Sequence, residues 1–220
     1  MKIRLERPGD YRAVEEMLRD AFWNLHVPGC HEHYLAHRMR THADYLPELS
    51  LVAEEDGRVV GIIMYTRAQL MDPRGNVKPV LTFGPLCVHP DYQHRGIGKA
   101  LMDASFNRAI SRGWDTVVIF GHPNLYAGAG FVHCSRYNIC MGTGTYASSM
   151  LVKPLTHASL TSTRWIYQGS PVYNIDEQAA EEFDKSFPPR EKAVTPTQEV
   201  FYIFNHSVIH PTLETNVTMW

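Results

Sequence analysis

Leu86-Cys87-Val88-His89-Pro90-Asp91-Tyr92-Gln93-His94-Arg95-Gly96-Ile97-Gly98-Lys99-Ala100-Leu101-Met102 reads as the end of a strand, a turn, a glycine loop and the start of a helix with nothing between them. The first turn of a helix leaves its backbone N–H groups unpaired and carries the positive end of the helix dipole. A doubly charged pyrophosphate is the natural guest of such a terminus. Gly96 and Gly98 let the backbone approach phosphates without a Cβ in the way, while Arg95 and Lys99 add mobile positive charge. Charge-assisted N–H bonds contribute about 1.5–3 kcal/mol each, so a handful of them holds a nucleotide tail at micromolar affinity after association costs. The loop predicts a ligand.

The spacing excludes two other phosphate loops. A dinucleotide turn needs G-x-G-x-x-G near the first strand, and a Walker loop needs G-x-x-x-x-G-K-[ST]; the chain has neither. What stands here, Val88-x-Pro90-x-x-Gln93-x-x-Gly96-x-Gly98-x-x-Leu101, resembles the coenzyme A pyrophosphate loop of the GCN5-related N-acetyltransferases, the GNAT superfamily. A second segment agrees with it. Gly121-His122-Pro123-Asn124-Leu125-Tyr126-Ala127-Gly128-Ala129-Gly130-Phe131 resembles the G-x-P-x-x-Y-x-x-x-G-F segment of one GNAT branch of predicted N-acetyltransferases. It departs from that branch at His122, where Asp is usual, and at Gly128, where a basic residue is common.

The resemblance covers residues 1–155 and implies an α/β (α+β) fold. Its central sheet is mixed, mostly antiparallel, flanked by helices and splayed between its fourth and fifth strands. It also implies acetyl-CoA as co-substrate. Leu86, Cys87 and Val88 would meet the pantetheine arm and thioester on the strand edge. Gln93, His94, Arg95, Gly96, Ile97, Gly98 and Lys99 would hold the pyrophosphate, with Asn124 and Tyr126 on the opposite side.

Composition is compatible with this. At 220 residues, 44% hydrophobic and 20% charged, the chain buries a full core without disulfides or metal. A net charge of -2 argues against nucleic acid as the main partner. The four cysteines, Cys30, Cys87, Cys134 and Cys140, show no paired spacing, so reduced core thiols are expected. The start, Met1-Lys2-Ile3-Arg4-Leu5-Glu6, has no apolar signal region, and no stretch approaches about 18 apolar residues. The expectation is a cytoplasmic protein that does not engage membranes.

The element order follows from periodicity and turn signals. Strands are expected at 3–6, 49–54, 59–67, 80–88, 116–120, 132–140 and 149–155, with Asp56-Gly57 closing a tight hairpin. Asp10 is placed to cap a helix presenting Val14, Met17, Leu18 and Ala21, and a second helix runs over 32–40. Ile97, Ala100, Leu101 and Ala104 form the buried stripe of a helix ended by Gly113, and 123–129 reads as a short helix.

The implied chemistry poses two proton problems. An alkylammonium of pKa about 10.4 is neutral only about one part in a few thousand at pH 7, so an amine nucleophile needs a base or a dry pocket. The leaving thiolate needs a proton, and the branch commonly places the Tyr of its motif at the coenzyme A sulfur, which makes Tyr126 the general acid. No carboxylate lies on the 80–88 strand, where several GNAT enzymes carry one. His122, Glu32, His33 or a water chain remain as bases.

Cys30, His33 and His37 share one helical face and have the chemistry of zinc ligands. No second cluster closes such a site, and the resemblance makes this stretch a wall of the acceptor pocket with Phe22, Trp23, Tyr34 and Tyr45, so no metal is expected. Residues 156–220 lie outside the resemblance and form a C-terminal extension. Ile175, Ala179, Phe183 and Phe187 mark a helix over 176–187 stopped by Pro188-Pro189, and 200–204 reads as a strand. Its aromatic density predicts packing on the core or on a second subunit of a homodimer. The function expected is direct transfer of acetyl from acetyl-CoA to a primary amine of a small molecule. The alternatives are a coenzyme A binding or sensing module without catalysis and a zinc-binding regulatory protein.

Overall fold

The computed structural model describes residues 1–156, 160 and 163–210. In chain order the elements are β1 (Lys2–Leu5), α1 (Tyr11–Phe22), α2 (Glu32–Met39), β2 (Leu51–Glu55), β3 (Arg58–Met71), β4 (Val77–Val88), α3 (Ile97–Ile110), β5 (Thr116–Phe120) and α4 (Pro123–Tyr126). There follow β6 (Val132–His133), β7 (Ile139–Cys140), β8 (Tyr146–Ala147), β9 (Met150–Pro154), β10 (Trp165–Gln168), α5 (Glu177–Asp184), α6 (Pro196–His206) and β11 (Val208–Ile209).

The main sheet runs β1-β2-β3-β4-β5-β9-β6, with β10 beside the far end of β3 and β7 beyond it. Pairing is antiparallel except at β4–β5 and β10–β7. Strand β3 is a nearly unbroken apolar run because both its faces are covered. Ile63 and Tyr65 join Leu81, Phe83, Leu101 and Phe106 under α3. Ile62 and Met64 point the other way, onto Val14, Leu18 and Met39 of α1 and α2. Asp56 and Gly57 both hold positive φ, 49° and 78°, the geometry of a tight hairpin turn between β2 and β3.

Two irregularities shape the centre. Strands β4 and β5 are paired only at Leu81↔Val117 and diverge beyond it, so the later half of β4 has an open edge. Between Ile63↔Leu86 and Tyr65↔Phe83 the register slips, and Gly84 and Pro85 together face Met64 as a β-bulge.

Several expectations are corrected. Residues 200–204 lie inside α6: a five-residue apolar run does not distinguish strand from helix, and Thr195-Pro196 with Gln198 is a helix start. The 132–140 stretch is broken into β6, a 3₁₀ turn over Cys134–Tyr137 and β7, because β6 pairs with β9 while β7 pairs with β10. Asn138 takes a left-handed φ of 53° at the corner. Asp10 does not cap α1 with its side chain; its carboxylate takes the Arg7 N–H at 2.8 Å and a fork from Arg4 at 2.6 and 2.8 Å. Helix α5 ends at Asp184, and Phe187 is buried from the turn that follows. In α3 the buried line is Ile97, Leu101, Met102, Ser105, Phe106 and Ala109, with Ala100 and Ala104 half-buried beside it.

The described residues after 155 pack on the rest of the chain. Strand β10 extends the main sheet, α5 lies against α2, and β11 pairs with β8.

Candidate active site

The glycine loop folds as its residue types dictate. His94 and Gly96 both take left-handed φ, 61° and 78°, and turn the chain into α3, whose N-cap is Gly96 and whose first turn receives no side-chain cap. A Cβ on Gly96 would meet nothing within 4 Å, and one on Gly98 would meet only Val88 Cγ2 at 3.7 Å, an ordinary contact. Packing does not require the second glycine. Gln93 Nε2 donates to the Val88 carbonyl at 3.1 Å and ties the loop to the strand end. Arg95 donates to the Asp91 carbonyl at 3.0 Å, and Lys99 pairs with Asp103 at 2.6 Å on the exposed side of α3.

The strand edge leading to this cradle can be read from ladder alternation. The His89 N–H donates to the Val60 carbonyl at 2.9 Å, and Gly61↔Val88, Ile62↔Cys87 and Ile63↔Leu86 follow in register. In an antiparallel ladder, bonded pairs alternate with non-bonded ones. The Cys87 N–H therefore faces β3, whereas the N–H groups of Leu86 and Val88 face the open edge. This corrects the expectation for Cys87, whose thiol also turns away, toward the Met17 carbonyl at 3.8 Å.

Tyr126 comes from the opposite wall. Its ring packs against Phe83 and Phe131, with centroids 5.8 Å away in each case. A Cβ on Gly121 would lie 2.4 Å from Tyr126 Cε2, so the first glycine of the second motif exists to admit this ring. The hydroxyl makes no hydrogen bond among the described residues, and burial pushes the phenol up to about 12.

An open strand edge and an uncapped glycine-lined helix start adjoin the wedge between β4 and β5, and the half-buried Tyr126 packs on Phe83 of β4. The sequence matches the Acetyltransferase (GNAT) family over residues 16–131. The chain belongs to this family. It is 35% identical over 91 residues to the uncharacterized N-acetyltransferase YjhQ of Escherichia coli (strain K12), covering 40% of this chain and 49% of that protein. The chain thus spans about half the length of this curated relative. The GNAT family N-acetyltransferase YhbS from Escherichia coli, in complex with CoA, superposes with a TM-score of 0.67 at 24% identity over 79% of this chain and 92% of that one. A GNAT family acetyltransferase from Brucella melitensis in complex with acetyl-CoA gives 0.61 at 22% identity over 78% and 97%. These two likenesses show the GNAT fold.

Within this GNAT fold the other expected residues are dispersed. His122 is the N-cap of α4: its Nδ1 accepts from the Asn124 N–H at 3.3 Å, the duty an Asp would perform there, and its ring meets Phe204 of α6 at 4.9 Å. Asn124 is exposed on the first turn of α4. Glu32 takes His26 Nδ1 at 3.1 Å and the His31 N–H at 3.1 Å. His33 is fully buried beneath Phe183 and Phe187, 3.4 Å from Cys30 Sγ, with Nε2 3.1 Å from Asp184 Oδ1 but misaligned for a hydrogen bond. Burial pushes this imidazole down to about 4.

The three suspected zinc ligands do not converge, since His37 turns to Glu15 at 3.2 Å. Among the described residues no group of three or more His, Cys, Asp or Glu side chains is placed to hold a metal ion. Phe22, Trp23, Tyr34 and Tyr45 do not share one pocket either. Phe22 meets His26, Trp23 donates to the Glu191 carbonyl, Tyr34 meets Phe183, and Tyr45 donates to Glu6 at 3.1 Å.

The extension supplies what the sequence reading lacked. Asp184 forks onto Arg19, whose guanidinium is only 3% exposed, at 2.7 and 3.2 Å. Tyr167 bonds Thr82 Oγ1 at 2.6 Å, and Tyr173 donates to the Gly84 carbonyl at 3.2 Å. A glycine-proline pair inside a β-run was the available signal for the bulge, but nothing local pointed to partners almost ninety residues away. No helix among the described residues is long and apolar enough to cross a membrane.

Proposed function

We propose that this protein transfers acetyl from acetyl-CoA directly to a primary amine of a small molecule. The observation that carries this reading is the pair of edge N–H groups, Leu86 and Val88, running into the uncapped start of α3 with Tyr126 opposite. Gly96, Ile97, Gly98 and Lys99 offer backbone N–H groups to the pyrophosphate, with Gln93, His94 and Arg95 around it and Asn124 on the opposite side with Tyr126. The Leu86 N–H polarises the thioester carbonyl as it becomes an oxyanion, a donor whose loss costs about 2.7–4 kcal/mol in comparable sites. The amine nitrogen attacks the carbonyl carbon, the tetrahedral adduct collapses, the C–S bond breaks, and Tyr126 gives its proton to the departing thiolate. The burial that raises the phenol raises a thiol in the same place: the buried Cys30 and Cys87 thiols are also pushed above their usual range. The two proton affinities thus move together.

For the amine proton, His33 is sealed beneath the extension and the His122 Nδ1 is used as a cap. Glu32, acting through His26, whose side chain is part-exposed, is the base in this reading. A small acceptor is favoured by α6. It joins the segment after α1, where His26 stacks on Phe201 at 4.1 Å and Thr195 and Gln198 donate to the Asn24 carbonyl, to the turn after β5, where Phe204 meets His122. The helix bridges the acceptor side of the wedge, leaving little room for a folded protein substrate. The core of this activity is residues 1–155, the extension 156–220 completes its acceptor side, and a cytoplasmic, acetyl-CoA-rich setting suits it.

Release of free thiol from acetyl-CoA by the purified chain, across a panel of small amines and of peptides with free N-termini, tests the reading. Turnover with small amines above peptides is expected. Tight acetyl-CoA binding with no thiol release for any amine would make the protein a coenzyme A binding module instead.

A further inference from the structure

The bulge that orients the open edge of β4 is held from the far end of the chain. Gly84 and Pro85 oppose Met64, so the Gly84 carbonyl lies at the point where the ladder is interrupted. It accepts a hydrogen bond from the Tyr173 hydroxyl at 3.2 Å, and that hydroxyl in turn accepts from Thr66 Oγ1 at 3.3 Å. The donor order runs Thr66 to Tyr173 to Gly84, with the Tyr173 ring lying over the glycine, its Cε1 3.7 Å from where a Cβ would stand. Burial pushes the Tyr173 phenol well above its usual range, so it stays a donor.

Backbone geometry links this bond to the reacting edge. Pro85 has a fixed φ and no N–H. One rotatable bond, the Pro85 ψ, therefore separates the held Gly84–Pro85 peptide from the Leu86 N–H, the first donor on the open edge. If the Gly84 carbonyl swings, that donor swings with it. A part-buried carbonyl deprived of its partner has reason to swing, because an unsatisfied acceptor relaxes toward any available donor.

We infer that Tyr173 is a positioning residue: its hydroxyl fixes the β4 bulge and thereby aims the Leu86 N–H at the thioester carbonyl. The inference rests on the acetyl-transfer reading, and its first test needs no acceptor amine. Calorimetry measures the affinity of acetyl-CoA and of CoA for the parent, Tyr173→Phe, Thr66→Val and Tyr167→Phe, each corrected for folded fraction by circular dichroism. Tyr173→Phe should keep CoA affinity within twofold, because the phosphate cradle is untouched, while acetyl-CoA affinity relative to CoA falls at least threefold. Thiol release with an accepted amine should slow at least tenfold. Thr66→Val, nearly isosteric, should move both readings the same way by less, and it carries the test if Tyr173→Phe folds poorly. Tyr167→Phe removes a buried hydroxyl that bonds the Thr82 side chain rather than the bulge, so it should lower the melting temperature and leave the ratio unchanged. A Tyr173→Phe ratio within twofold of the parent, or an equal shift in Tyr167→Phe, overturns the inference. A parent that binds acetyl-CoA but never releases thiol overturns the function and leaves the binding ratio to judge Tyr173 separately.

Discussion

Gly98 is a residue whose identity the protein's own packing does not require. The space beside it admits a methyl group at ordinary contact with Val88, and its backbone is helical. Gly98→Ala is expected to stabilise the free protein by about 0.4–1 kcal/mol, through the lost entropy of the unfolded chain. It should weaken CoA binding at least fivefold by placing a Cβ in the cradle. A melting temperature that rises together with an unchanged calorimetric affinity would remove Gly98 from the site. Tyr126 is tested by Tyr126→Phe, which deletes a hydroxyl that makes no hydrogen bond within the described protein and should leave the melting temperature nearly unchanged. If that hydroxyl protonates the thiolate, kcat falls about ten- to a thousand-fold while acetyl-CoA affinity holds. With the phenol at about 12, turnover should show no alkaline loss assignable to Tyr126 below about pH 10. Unchanged kcat in the Phe variant would hand the proton to water.

At the scale of elements, α5 is latched to α1 and α2 by a buried charged cluster. Asp184 pairs with the nearly inaccessible Arg19, and His33 sits beside it as a neutral imidazole. Burial holds His33 at about 4 against about 6.5 for a free histidine. Between those values the unfolded chain binds a proton that the folded one does not. Stability from this group is therefore full above about pH 6.5 and is lost as pH falls toward 4, by up to about 3 kcal/mol. Urea unfolding midpoints taken from pH 7 to 4.5 should decline, and His33→Gln should flatten the part of the decline above pH 5, where carboxylate titration contributes least. An identical slope in the variant would show that the cluster's pH response belongs to its carboxylates.

For the whole molecule, the extension divides into a part that completes the core and a part that covers it. Trp165, Tyr167, Val172 and Phe187 are buried, whereas α6 contains no buried residue. A chain ending at Val194 should keep its fold, its CoA affinity and most of its melting temperature, yet accept bulkier amines because α6 no longer bridges the wedge. A chain ending at Pro154 should lose the sheet extension at β3 and the Tyr167, Tyr173 and Asp184 anchors together, and fail to fold cooperatively. The two truncations, compared by thermal unfolding and by the acceptor panel, separate the two roles. An unaltered acceptor range in the longer truncation would show that α6 does not gate the site.

The glycine loop, the helix that follows it and the β2–β3 hairpin were legible in the chain because each is a local device. Gly96 takes a left-handed φ at the helix start, and Asp56-Gly57 closes a turn with its own two residues. The Gly121–Tyr126 segment was legible as a motif, although its reason, a ring lying where a Cβ would stand, appears only once the turn is folded. Which N–H groups face the wedge was not legible, since Leu86, Cys87 and Val88 differ only in ladder phase, and phase is set by the pairing of β4 with β3. The use of Cys30, His33 and Glu32 was equally hidden. Their fate is decided by Asp184, Phe183, Phe187 and Phe201, which arrive from 150 or more positions away, and a helical face read alone cannot reveal what will cover it. Local sequence determined the glycine loop and the helix start proposed to hold the anion, because backbone dihedrals and helix ends are local properties; only the tertiary structure decided their surroundings, because burial and proton affinity depend on neighbours the chain brings together last.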